Sequence, residues 1–385
     1  MRNWLLPEYI EDILPPEAQR VERLRRIILD LFQSHGYQLV IPPLLEYLES
    51  LLTGTGSDLD LETFKLVDQL SGRLVGLRAD ITPQVARIDA HLLNRKGITR
   101  LCYVGNVLHT QPSGLAYTRE PLQIGAEIYG HASIESDIEI QYLMVDALRS
   151  CAINDVHVDL GHVGIFRALV QYGKISTELE SELFTALQTK DESSVRELVV
   201  AMQPEVRDAF LLLPNLYGDR KVLDTAEAKL PKYSEIAFAL KQLKAISKDL
   251  NETVATRFDL AELRGYHYHS GVVFAAYAKG LADAAALGGR YDEVGKAFGR
   301  ARPATGFSMD LRGLVRATKL PATSKAVLAP YVKDTKLAQV VAELRQRGEV
   351  VIQDLPGHED ARAELECDRE LTLRNGEWQI QPIKN

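Results

Sequence analysis

Residues 262–274 read ELRGYHYHSGVVF. An Arg-Gly pair is followed by four consecutive aromatic or imidazole positions, a small-residue pair and an apolar run. Successive side chains of a β-strand point to opposite faces. As a strand, the stretch is therefore expected to set Arg264, Tyr266 and Tyr268 on one face and His267 and His269 on the other. Such a wall offers donors, acceptors and flat rings together, which suits a small polar aromatic ligand. Alone, it also reads as a core strand with polar tips at its edge.

The surrounding chain narrows the choice. With 385 residues, 46% hydrophobic and 25% charged, it has room for two or three ordinary globular domains. A net charge of −8 gives no basic footprint for nucleic acid. The three cysteines, Cys102, Cys151 and Cys367, are widely spaced and odd in number. This argues for a reducing compartment, no disulfide frame and no metal site. The first residues carry early acids and prolines, unlike a signal peptide, and no apolar run is long enough for a bilayer. A cytoplasmic protein is expected, with no membrane association.

Pro15-Pro16-Glu17 opens a helix whose Val21, Leu24, Ile27, Ile28, Leu31 and Phe32 recur at helical spacing, and Gly36 stops it. A strand is expected at 37–41 and a second helix at about 44–52. Residues 64–67 and 74–77 flank Ser71-Gly72 as a hairpin. Thr82 then reads as the cap of a helix with Pro83 in its first turn. Residues 100–109 and 119–129 are strand-like, and an amphipathic helix begins at Ser133. From about 165 to 255 helical periodicity prevails, as an insertion without a chemical motif. Gly288 to Asp292 reads as a turn into a helix, and 305–309 as a strand feeding another. The tail from 325 to 385 reads β-α-β and then short strands. Strand pairs with interposed helices and no repeated βαβ rhythm predict an α+β core over 1–320 and a small second domain over 325–385.

Five segments stand in a recognisable order. They are LRADIT at 77–82, YVGNVLHTQ through REPLQIGAE at 103–127, LRGYHYHSGVVF at 263–274, GGRYD at 288–292 and ATGFSMDL at 304–311. Together they resemble the class II histidyl-tRNA synthetase core over roughly residues 5–315. The resemblance implies a six-stranded antiparallel sheet flanked by helices, usually in a dimer. It also implies a histidine pocket built from Asp80, Thr82, Gln123, Glu127, Arg264 and Tyr268, with His269 in place of a second tyrosine. The chemistry is coherent. Asp80 and Glu127 suit the cationic groups of free histidine, Arg264 its carboxylate, and Tyr268 or His269 its ring.

The departures from the family pattern are chemically pointed. Synthetases of this class clamp the ATP phosphates with two arginines, whose planar fork bonds two oxygens at once. His109 stands at the first arginine position and Gln111 at the glutamate two residues on. Gly313 stands at the second arginine position. Arg312 is its neighbour, but one residue along a helix is a turn of about 100°, away from the site. Removing one such donor costs about 10²–10³-fold in rate. Loss of both implies negligible adenylation, and no cofactor is expected. The tail resembles only the opening β-α-β of an anticodon-binding domain and carries the acidic run HEDARAELECD, so no tRNA is expected.

A chain with the histidine pocket, without the clamps and with a short tail is similar to the regulatory subunits of ATP phosphoribosyltransferase. That resemblance implies a non-catalytic subunit that joins a short-form catalytic subunit for the first step of L-histidine biosynthesis. It further implies feedback inhibition with histidine as effector. The readings to be set against it are an active histidyl-tRNA synthetase and a pseudo-synthetase binding module in translation or signalling.

Overall fold

The computed structural model describes residues 5–54, 57–112, 118–266, 268–320 and 325–383. Two compact units emerge, Met1–Lys319 and Leu320–Asn385. The strands of the first are β1 (Gln38–Leu39), β2 (Leu45–Tyr47), β3 (Phe64–Val67), β4 (Leu74–Leu77), β5 (Thr99–Asn106), β6 (Leu122–Tyr129) and β7 (Val156–His162). They continue with β8 (Tyr217–Gly218), β9 (Ala255–Asp259), β10 (Val272–Ala278), β11 (Ala286–Arg290) and β12 (Ala304–Asp310).

The main sheet runs β1-β5-β6-β12-β11-β10-β7-β9-β8. Its middle six strands, β5 to β7 in that order, are antiparallel to their neighbours, as the class II fold requires. At the edges β1 and β9 add parallel pairs. Alternation explains which face each residue meets. Ile124 and Ala126 of β6 lie level with Met309 and Phe307 of β12 and are buried on the helical side. There Phe307 meets Phe32 of helix Pro15–Ser34 edge to face at 5.9 Å. Helices Ile134–Ser150, Val163–Gly173 and Ser234–Leu250 complete that layer. On the other face, Gln123, Gly125 and Glu127 lie level with Asp310, Ser308 and Gly306. This face carries the cavity described below.

Four expectations are corrected. Residues 262–270 are not a strand: β10 begins only at Val272. Gly265 takes φ +64°, which favours glycine, and successive turns follow, with Tyr268 and His269 N–H both donating to Gly265 O. Arg264, Tyr266 and Tyr268 therefore do not share a face, and His267 lies outside the described residues. Residues 45–47 form β2, with only a short helix Leu48–Leu51 after it, because Leu45 and Tyr47 pair with Leu77 and Val75. Gly288, Gly289 and Arg290 belong to β11 rather than to a turn. Helix Thr82–Arg87 has Ile81 at its cap position, and the Thr82 hydroxyl is used elsewhere. The expected hairpin is β3–β4, paired from Phe64↔Leu77 to Val67↔Leu74.

The second unit is a four-stranded sheet ordered β14-β13-β15-β16. These are Ala326–Pro330 (β13), Val351–Asp354 (β14), Cys367–Arg374 (β15) and Glu377–Pro382 (β16). Helix Thr335–Gln346 packs Leu337, Val341 and Leu344 against Val327, Ala329, Val351 and Leu371. Asp334 caps this helix through Lys336 N–H at 2.8 Å and also accepts the Trp378 indole N–H at 2.8 Å.

Candidate functional site

Strands β6, β11 and β12 floor a cavity of about 310 Å³. The start of helix Thr82–Arg87 and the turns at 265–269 wall it. Asp80, Thr82, Glu127, Tyr268 and His269 line it, joined by Glu62, Tyr291 and the glycines 265, 288 and 306. Two floor positions, Gly288 and Gly306, leave no room for a side chain. A Cβ on Gly306 would stand 1.5 Å from Glu127 Oε2, and one on Gly288 would stand 2.4 Å from Gly306 O and from the Phe274 ring.

Glu127 is the centre. It is 1% exposed, and its Oε1 accepts from Tyr103 Oη at 3.1 Å and Thr82 Oγ1 at 3.2 Å. Tyr291 donates its hydroxyl to Oε2. Burial pushes the Glu127 carboxyl up to about 8; the nearby Asp80 charge pushes the same way, against the pull of the three hydroxyls. Asp80 is held ready beside it. Its Oδ1 accepts from Gln123 Nε2 at 2.7 Å and from Thr82 N–H at 3.1 Å, while Gln123 Oε1 accepts from Ile81 N–H at 3.0 Å. Gln123 thus orients Asp80 and does not itself line the cavity.

Aromatic rings form the other wall. Tyr268 lies 4.9 Å from Tyr291 and 5.4 Å from His269, centroid to centroid. The Tyr268 hydroxyl is buried and has no hydrogen-bond partner among the described residues. His269 directs Nδ1 at Arg290 O, 3.3 Å away, and burial pushes its pKa down to about 4, so the ring is neutral. A neutral ring with Nδ1–H committed to a carbonyl leaves Nε2 an acceptor.

Arg264 is not in the cavity. The left-handed Gly265 turns the chain so that the Arg264 side chain is 47% exposed, ion-paired with Glu262 at 3.3 Å and donating to Tyr277 Oη at 3.0 Å. Neither do His109 and Gly313 line it. His109 Nε2 meets Ala79 O at 2.9 Å, and Gly313 N–H donates to Asp310 at the start of helix Leu311–Ala317. Arg312 is buried and bonded to Thr118, Glu120 O and Glu11, at 3.1, 3.2 and 2.6 Å. Among the described residues, no arginine or lysine lines the cavity, while three acidic side chains do. Its chemistry suits a small cation with an aromatic part rather than a polyphosphate.

Sequence reasoning did not single out Tyr103 and Tyr291, the two phenols on Glu127, or the glycine floor. Tyr291 lies within the quoted GGRYD segment, and the placing of Gly306 level with Glu127 and Gly289 needs strand register to be seen. Among the described residues there is no cluster of three His, Cys, Asp or Glu side chains fit for a metal, and no helix is long and apolar enough to cross a membrane.

Comparison with known proteins accords with this geometry. The histidyl-tRNA synthetase family model matches residues 9–314, and the model for the ATP phosphoribosyltransferase subunit HisZ C-terminal domain matches residues 324–381. A solved structure from Bacillus halodurans, described as an ATP phosphoribosyltransferase regulatory subunit/histidyl-tRNA synthetase, superposes with a TM-score of 0.84 at 27% identity, covering 94% of this chain and 96% of that one. A histidyl-tRNA synthetase from Nostoc sp. shares the fold, with a TM-score of 0.79 at 20% identity over 99% of this chain and 97% of that one. The ATP phosphoribosyltransferase regulatory subunit of Methylobacillus flagellatus is 58% identical over 99% of this chain and 98% of its own length. That of Ralstonia nicotianae is 56% identical over 100% and 99%. Identity of this order along the full length, in both units, places the chain in the family of ATP phosphoribosyltransferase regulatory subunits.

Proposed function

We propose that this chain is a non-catalytic subunit that assembles with a short-form catalytic ATP phosphoribosyltransferase, is required for the first step of L-histidine biosynthesis, and carries the histidine sensor for feedback inhibition. The observation that carries the reading is the cavity itself: among the described residues, carboxyl groups, hydroxyls and aromatic rings line it, and no arginine or lysine does. Asp80 and Glu127 take the ammonium, and Tyr268 and His269 contact the imidazole. Arg264 takes the carboxylate by leaving Glu262. That exchange gives up a part-buried ion pair and the bond to Tyr277 Oη. Inhibition follows if histidine binds one state of the assembly more tightly than the other, by about 1–3 kcal/mol on the usual scale.

Self-association as a dimer is part of the proposal. The open face of the β2-β4-β3 sheet presents Leu45, Tyr47 and Leu66 at 46%, 40% and 48% exposure, beside Ile41 at 81%. Exposed apolar side chains on one sheet are what an interaction face would use.

The test combines two measurements on the purified chain alone and with its catalytic partner. Calorimetry is expected to show histidine binding that Arg264→Ala weakens about tenfold. Histidine-dependent exchange of pyrophosphate into ATP is expected to be absent. Robust exchange would establish a working synthetase instead. Failure to co-purify with an ATP phosphoribosyltransferase would favour a binding module of another pathway.

A further inference from the structure

We propose that the helical insertion sets the geometry of the cavity wall, with Arg167 and Tyr266 as positioning residues. The inference rests on the histidine reading only for the identity of the ligand. Its basis is the turn at 264–269, which faces two ways.

Tyr266 is 5% exposed and is inserted into the insertion rather than the cavity. Its ring meets Phe166 of helix Val163–Gly173 edge to face at 5.0 Å and Phe184 of helix Thr177–Gln188 at 5.7 Å. Its hydroxyl donates to Glu180 Oε1 at 2.6 Å. Two and three residues further on, Tyr268 and His269 form the aromatic wall of the cavity. Arg167, on helix Val163–Gly173, spans the turn. Its Nη2 donates to Tyr266 O at 2.8 Å and to His269 O at 2.6 Å, and its guanidinium lies 5.0 Å from the Tyr266 ring centroid.

One guanidinium therefore fixes both ends of the segment that carries Tyr268. No backbone ladder does this in its place, because the segment is not a strand. The helix bearing Arg167 is itself located by His162 at its cap. His162 Nδ1 accepts from Gly164 N–H at 3.0 Å, and Nε2 donates to Gln242 Oε1 of helix Ser234–Leu250 at 2.9 Å. A shift of the two insertion helices relative to the sheet would drag Tyr266 and with it the cavity wall. By reciprocity, a ligand that orders Tyr268 and His269 stiffens the insertion. The surface of the insertion thus becomes a place from which the cavity can be tuned.

The experiment is amide hydrogen exchange by mass spectrometry on the full chain, with and without histidine, for wild type, Tyr266→Phe and Arg167→Met. Neither substitution touches a side chain that lines the cavity. Tyr266→Phe removes one hydroxyl that lies outside the cavity. Exchange across 264–270 is expected to rise about tenfold in each variant, with β10 to β12 unchanged. Histidine affinity is expected to fall about tenfold. Histidine added to wild type is expected to slow exchange in helix Thr177–Gln188, and Tyr266→Phe to abolish that response. A purely structural role would not produce this last signature. Unchanged exchange at 264–270 in both variants overturns the inference. So does looser exchange with histidine affinity unaltered. If wild type gives no heat with histidine while the variants still loosen the turn, the ligand assignment fails and the positioning role stands.

Discussion

The sharpest consequence of the site concerns Glu127. Its carboxyl is pushed from the ordinary glutamate value of 4.5 up to about 8. The folded protein thus holds a proton that the unfolded chain has already released across that window. Stability from this proton is fully present below 4.5 and is lost as pH rises through 8. Each pH unit is worth about 1.4 kcal/mol, so the change over the window is on the order of 5 kcal/mol. That is a large share of the roughly 5–15 kcal/mol that holds a typical domain folded. Glu127→Gln keeps the shape and cannot release a proton. The assay is urea unfolding of the ligand-free chain from pH 5 to pH 9, followed by far-UV circular dichroism at one protein concentration. Fluorescence of Trp378 is unsuitable, because that residue lies in the other unit. Wild type is expected to lose stability relative to Glu127→Gln as the pH rises, with the difference levelling off above pH 8. Parallel curves over the whole range would mean that Glu127 is ionised throughout, and the account of the cavity would be wrong.

Two further outcomes follow from the same geometry. Tyr268→Phe removes a buried hydroxyl with no partner among the described residues, so the ligand-free protein is expected to gain up to about 1 kcal/mol in thermal unfolding. The same change should weaken histidine binding about tenfold by calorimetry; stabilisation without loss of binding would exclude Tyr268 from ligand contact. His162 behaves oppositely to Glu127. Burial pushes its pKa from 6.5 down to about 4, so its contribution is present above pH 6.5 and lost as pH falls through 4. The loss is on the order of 3 kcal/mol. His162→Asn keeps a capping acceptor and does not titrate, so acid titration by circular dichroism should show wild type falling below the variant between pH 6.5 and 4.

Much of this architecture is legible in the chain because strand alternation is a strong signal where one face meets helices. The β6 run LQIGAEIY separates Ile124, Ala126 and Ile128 from Gln123, Gly125 and Glu127, and the structure puts those sets on opposite faces. The 262–270 stretch misleads for an equally physical reason. Aromatic residues favour strands, but Gly265 at φ +64° breaks the extended path, and Arg167 holds the resulting turn from more than ninety residues away in the chain. Nothing local announces that contact. The phenols on Glu127 escape for the same reason, since Tyr291 is 164 residues distant in sequence. The Arg264 position is legible from its motif. Its direction is not, because a surface pairing with Glu262 decides it.

The cost of Glu127 and the purpose of the cavity are two sides of one arrangement. A carboxyl buried beside Asp80, with only hydroxyls to answer it, keeps its proton in the empty site. An ammonium placed between Asp80 and Glu127 reverses this, because an opposite charge within about 4–6 Å favours the ionised carboxylate. The ligand then gains a charge-assisted contact in a water-poor site, where such contacts are stronger than in bulk water. A triphosphate in the same place would meet three acidic side chains and, among the described residues, no arginine or lysine. On the proposed reading, the lining favours an ammonium group over a polyphosphate by sign of charge. An arginine at position 109 or 313 would not simply restore the family pattern. His109 already answers Ala79 O, and Gly313 sits against the Asp310 that starts its helix. His109 and Gly313 thus make contacts that hold the fold, while Asp80 and Glu127 line the cavity.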